Sequence, residues 1–371
     1  MVQMRSPNIP RLRLHNTGLS DRPFTDPADV VAHLGAVQCQ DYPMAKWGLG
    51  LRMRDATDDA VERAFNEGRF LRTHVMRPTW HFVMAEDIRW MLELTAPRVK
   101  RTLAPYDRRL GITEEVLSRS KTVFADALAG KHFLTRGELA GYLKRNDVPA
   151  RGQRLAHIMV HAELDGLVCS GPRRGKQFTY ALLEEVAPVV KAIGREEAIA
   201  KLAEKYFASH GPAQVGDLAW WSGLSVKDAT RALDTIGPRL DRCVLEGKTY
   251  WSSPNTEALG PRPNGACHSQ GARAFLLSIY DEYTIAYRDR TDISNERYLE
   301  KMFSMGNSLT AAMVIDGVVA GSWKRVLKKS SVEIALSPFR KVNRTEREAV
   351  EQAARRYGDF LNKETTVRWT S

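Results

Sequence analysis

The residue types that bear on chemistry gather early in the chain. Gln38 and Gln40 flank a cysteine and are followed at once by Asp41, in the run Gly35-Ala36-Val37-Gln38-Cys39-Gln40-Asp41-Tyr42-Pro43. Each amide oxygen can accept a hydrogen bond from water while each amide nitrogen donates, and Asp41 adds a carboxylate that can act as a base or as fixed charge. Taken alone, such amides more often satisfy loose backbone groups at a helix end. His74 and His81 lie on β-rich stretches, where an imidazole can touch phosphate, orient water, or simply hydrogen-bond in a half-buried setting. Arg173, Arg174 and Lys176 surround Gly175 between two apolar runs, and a glycine-flanked basic tip can approach phosphates closely. A solvated turn is the plainer alternative.

Other reactive residue types read as quiet. The four cysteines, Cys39, Cys169, Cys243 and Cys267, lie far apart with no C-x-x-C pair. No His, Cys, Asp and Glu cluster has ligand spacing, so neither a metal nor another cofactor is expected, and the thiols are expected to be reduced. Lys46 is expected to be solvated rather than a Schiff-base nucleophile. Trp220 and Trp221 read as core, and Asp281, Glu282 and Tyr287 to Arg290 as a structural carboxylate and arginine network, with Arg288 or Arg290 within reach of phosphate.

The elements that must position these groups follow from punctuation. Asp26 and Pro27 open a helix that stops at Gly35, a second helix spans about Pro43 to Leu51, and a third starts after Thr57 and stops at Gly68. Phe70 to Met76 and Thr79 to Val83 then make a hairpin. The order of helices and hairpin recurs with a capping box at Thr135 to Glu138, a helix over Gly152 to Leu164, and strands either side of Gly171 to Lys176. A third copy runs from Glu196 to Trp251, with Ser225 as a cap and Glu246-Gly247 as the turn. Ser253 to Gln270 reads as a linker. Beyond it come four β-rich runs, an Asp316-Gly317 turn and a helix from about Thr345 to Leu361. The expected fold is α+β and mainly helical, with three tandem winged-helix motifs before a small C-terminal β-barrel or sheet. Its boundaries are 1–95, 96–190, 191–255 and 270–371.

Length and charge agree with that division. A chain of 371 residues exceeds one ordinary hydrophobic core, and a composition 43% hydrophobic and 27% charged is that of a globular protein. The net charge of +11 favours a polyanionic partner, nucleic acid first. Met1 to Pro10 lacks the apolar region of a signal peptide, and no membrane span is expected. The protein is therefore placed in the cytoplasm with the nucleoid, as a monomer.

The Gln38-Cys39-Gln40 run resembles the Gln-apolar-Gln signature of the AlkZ-type DNA glycosylases, a winged-helix family that unhooks alkylated bases and interstrand cross-links. Thr73-His74 with Thr79 to Val83 resembles its first wing, and Gly211-Pro212 through Trp220-Trp221-Ser222-Gly223-Leu224 its third winged helix. Asp281-Glu282-Tyr283 with Tyr287 to Arg290 resembles its C-terminal domain, so the likeness spans most of the chain. It implies a monofunctional DNA glycosylase acting on duplex DNA, with Gln38 and Gln40 catalytic, Asp41, His74 and His81 in support, and Gln40 placing the chain in the cross-link resistance branch. The chemistry is coherent: an N7- or N3-alkylated purine already carries positive charge, leaves without a strong acid, and needs chiefly a positioned water and a stabilised oxocarbenium-like sugar. A tandem winged-helix transcription regulator is the competing reading, and a protein that sequesters a DNA-damaging drug is a third.

Overall fold

Asp26, Asp41, Thr57, Thr113, Thr135 and Ser225 each stand at a helix N-terminus and accept a backbone N–H there, which is why short polar residues start these helices. The computed structural model describes residues 8–254, 272–302 and 310–370. The linker expected at Ser253 to Gln270 lies, from residue 255 onward, outside the described residues, as does Cys267. The observed fold is α+β and rich in helix, closed by a C-terminal sheet.

The first helices are Pro27–Leu34, Tyr42–Gly50 and Asp58–Asn66, and Val37–Gln38 (β1) runs between the first two. A hairpin follows, Leu71–His74 (β2) with Trp80–Val83 (β3). The second group holds Ile88–Arg109, Glu114–Leu128, Leu134–Thr135 (β4), Arg136–Arg145 and Gly152–Leu164, then Val168–Arg174 (β5) and Gln177–Leu182 (β6). The third holds Arg195–His210, Val215–Ser222 and Val226–Ile236, then Asp241–Leu245 (β7) and Lys248–Ser252 (β8). Helix Ile9–Asn16, capped by Asn8 with Pro10 in its first turn, and the long helix Ile88–Arg109 add to the expected elements. In the latter, Pro97 and Pro105 sit inside a helix that continues through them, held by buried Trp90, Met91, Leu94 and Val99.

Both larger sheets contain pairings that are not local. The hairpins of the first two groups form one six-stranded sheet in the order β1-β3-β2-β5-β6-β4, bridged by Arg72 opposite Ser170. At the C-terminus, Ala274–Leu276 (β9), Ala312–Ile315 (β10), Val318–Leu327 (β11), Ser331–Pro338 (β12) and Glu364–Trp369 (β13) form the second sheet, with helix Arg344–Phe360 before the last strand. Its edges β9 and β13 do not pair, so it is an open, curled sheet rather than a closed barrel. Asp316 and Gly317, both at positive φ, make the turn between β10 and β11.

The core explains how the ends meet. Buried residues of helix Tyr42–Gly50 and its neighbours share one apolar cluster with the C-terminal sheet. The Trp47 indole donates to the Leu276 carbonyl at 2.7 Å and packs edge-on against Tyr357. A Cβ on Gly50 would come within 2.7 Å of the Phe360 ring, so glycine permits this approach. Arg52 and Asp281 form a buried two-point pair at 2.9 and 2.8 Å, fulfilling the structural role expected of Asp281. Among the described residues no helix is long and apolar enough to cross a membrane.

Candidate active site

The chain alternates through the amide run. Cys39 is buried, its N–H bonded to the Trp80 carbonyl at 2.8 Å, and burial pushes its thiol up to about 12. Gln38 before it is half-buried and Gln40 after it is exposed, while the buried middle residue anchors the segment. Asp41 caps the next helix, accepting the Met44 N–H at 3.1 Å, and that bond commits one of its oxygens.

Gln38 is held at both ends. Its backbone N–H donates to Glu282 Oε1 at 3.0 Å, and its side-chain oxygen accepts from the Arg77 guanidinium at 3.1 Å. Glu282 is itself buried. It accepts the Trp221 indole N–H at 2.9 Å, and His210 Nε2 stands 3.4 Å away, within ion-pair distance but with no hydrogen bond made. One carboxylate on the short helix Glu282–Ile285 therefore ties the first group to the third.

His81 pairs across the sheet with Gln38, and its Nε2 lies 3.3 Å from the same Arg77 nitrogen. Burial, then the Arg77 charge, pushes the His81 imidazole well below its ordinary range, so it is neutral near pH 7. His74 is on the other face: it pairs across the hairpin with Trp80, packs on that ring at 4.3 Å, and bonds through Nδ1 to buried Glu163. The structure thus brings His81 to Gln38 and leaves His74 in the packing between sheet and helix Gly152–Leu164.

The second hairpin differs from its expected form. Strand β5 continues to Arg174, so the turn proper is Gly175-Lys176 and Arg173 belongs to the strand. Arg173 folds back onto the first group: its side chain is only 15% exposed, lies over Tyr42 at 4.6 Å, and bonds Glu62 at 3.3 Å and the Lys176 carbonyl at 2.6 Å. It is not a free tip cation. Arg174, 57% exposed, bonds Glu138 at 2.8 Å, and Lys176 is exposed. A groove of about 450 Å³ beside the strand is lined by Lys131, His132, Phe133, Pro172, Arg173 and Arg174.

Two further expectations are corrected. Lys46 is buried rather than solvated, with Nζ 2.7 Å from both Asp58 and Glu62, because the Tyr42–Gly50 and Asp58–Asn66 helices pack with that face inward. Trp221 is core as expected, but Trp220 is 47% exposed, its indole donating to the Ile285 carbonyl at 2.9 Å. Arg77, His210 and Trp221 were not singled out for the site, and Glu282 was read as structural only. The resemblance of Asp281-Glu282-Tyr283 to the family's C-terminal domain, and a charge within a largely apolar stretch, were the signals available for Glu282.

Comparison with known proteins gives the enzyme class, a DNA N-glycosylase. A family model described as "DNA glycosylase AlkZ-like" matches residues 31–360, and the chain belongs to that family. It is 24% identical over 355 residues, covering 92% of each chain, to an interstrand DNA cross-link repair glycosylase of Streptomyces sahachiroi. The solved structure of the Streptomyces sahachiroi DNA glycosylase AlkZ has the same fold, with a TM-score of 0.78, 22% identity and 98% of each chain covered.

Proposed function

We propose that this glycosylase excises cationic alkylated purines of the N7-alkylguanine type and unhooks interstrand cross-links built from them, using Gln38 and Gln40 as the catalytic pair. The observation that carries the reading is the fixed Gln38 amide beside an exposed Gln40. Arg77 takes one lone pair of the Gln38 oxygen and leaves the other for a water. In the reaction, water adds to C1′ as the C1′–N bond breaks, the bond's electron pair neutralises the purine cation, and the water's proton leaves to solvent or to Asp41. The two amides position that water, and their dipoles stabilise the oxocarbenium-like sugar. The name of the Streptomyces relative, an interstrand DNA cross-link repair glycosylase, supports the cross-link substrate.

On this reading each group of helices with its hairpin is a winged helix, spanning 1–95, 96–190 and 191–255, with 270–371 as the fourth unit. Arg174 and Lys176 contact DNA phosphates, Arg173 braces the hairpin, and His81 supports Gln38. The protein acts as a monomer on duplex DNA in the cytoplasm, associated with the nucleoid, and needs no cofactor. Incubation with duplex bearing a single N7-alkylguanine, followed by alkali, tests it: strand scission at that base is expected, and binding without scission returns the protein to a non-catalytic binder.

A further inference from the structure

We infer that Arg77 is a positioning residue for base excision, fixing which way the Gln38 amide faces, with His81 as its second anchor. This rests on the catalytic reading of Gln38 and names a residue outside the amide motif.

Arg77 lies in the turn between β2 and β3, and that turn is clamped. Met76 adopts a positive φ of 63° and donates its N–H to Thr95 Oγ1 at 3.0 Å. Its carbonyl sits over Gly223, the left-handed residue that ends helix Val215–Ser222, where a Cβ would come within 2.3 Å of the Met76 oxygen and 3.8 Å of Arg77 Cγ. Only glycine fits there. The third group of helices therefore sets where the Arg77 side chain begins.

The bonding at the other end admits one arrangement. Arginine has no acceptor, so the Gln38 atom facing it at 3.1 Å is the oxygen, and the amide nitrogen points away. His81 Nδ1 is 3.0 Å from the Thr79 carbonyl, which can only accept, so Nδ1 carries the hydrogen and Nε2 presents a lone pair to Arg77. The neutral state that burial imposes on His81 is the state this contact requires. Burial lowers the proton affinity of Arg77, the negative charge of Glu282 opposes that shift, and Glu282 also fixes the Gln38 backbone. Glu282 sets the main chain and Arg77 the side chain, so a freely rotating amide becomes an oriented acceptor.

A double-mutant cycle tests this: Arg77→Met and Gln38→Ala, singly and together, in single-turnover excision of N7-alkylguanine, with DNA affinity and thermal melting of every variant. Arg77→Met is expected to slow excision about tenfold with DNA affinity within about twofold of the parent. In the Gln38→Ala background the same change should alter the rate by less than about twofold, because the group Arg77 acts through is gone. Arg77→Lys, which keeps a donor, should recover part of the loss. Equal losses in both backgrounds would overturn the inference, and so would an Arg77→Lys variant that melts normally yet excises no faster than Arg77→Met. If Arg77→Met does not fold, the cycle is run with Arg77→Lys, whose smaller loss in the parental background should likewise vanish in the Gln38→Ala background. Gln38→Ala cleaving at the parental rate would instead remove the catalytic reading beneath the inference, a result separable from the other two.

Discussion

The two hairpins of the six-stranded sheet look alike in sequence, each a pair of β-rich runs around a short segment holding a cation, yet their turns are packed differently. The turn of the β2–β3 hairpin is capped by Gly223 of another helix, and its Arg77 and His81 face inward to Gln38. The turn of the β5–β6 hairpin is open: a Cβ on Gly175 would meet nothing within 4 Å, and Lys176 is exposed. What packs over a turn decides whether its cations turn inward onto neighbouring side chains or stay at the surface. Arg173 shows the rule within one hairpin, since two residues before the open turn it already lies against Tyr42 and Glu62.

Acid should separate the hairpins most strongly. His81 is held neutral when folded, its proton affinity lowered from the ordinary value near 6.5. Below that pH the unfolded chain takes up a proton the native chain refuses, so stability is whole above about 6.5 and falls as pH drops, by up to about 1.4 kcal/mol per pH unit. His81→Gln keeps an acceptor for Arg77 without titrating. Its denaturant midpoint should fall less steeply between pH 7 and 5 than the parent's. Identical slopes would mean the first hairpin is not the acid-sensitive one.

Arg173 gives a smaller effect. Arg173→Ala removes a largely buried cation from two aromatic faces and a carboxylate, and should lower stability by about 1 kcal/mol. Arg174→Ala with Lys176→Ala should leave melting unchanged while weakening binding to undamaged duplex and reducing the salt slope by about one unit per lost phosphate contact. If Arg173→Ala behaves like the double variant instead, the contrast within the second hairpin is broken.

Local punctuation made much of the fold legible. The Asp26-Pro27 start, the Thr135 to Glu138 capping box, the Gly152–Leu164 helix and the Asp316-Gly317 turn all rest on contacts within a few residues. What stayed hidden depends on distance along the chain. Nothing near Arg72 announces Ser170 as its neighbour in the sheet, and nothing near Gln38 announces Glu282, 244 residues away. Helix Ile88–Arg109 was hidden for a different reason, since its prolines oppose helix locally and burial of its apolar face overrides them. Around Gln38 the sequence does not announce its side-chain partner, because Arg77 reads only as the residue before Pro78.

The central claim is that two neutral amides, positioned from outside their own motif, perform the hydrolysis. Single-turnover excision of N7-alkylguanine by Gln38→Ala, Gln40→Ala and their double variant, with duplex affinity measured alongside, tests it most directly. At least about a tenfold loss is expected from each single change, with nearly unchanged DNA affinity, and the double variant should lose less than the product of the two because both amides hold one water. Parental rates in both single variants would contradict it and turn attention to Asp41 and His81.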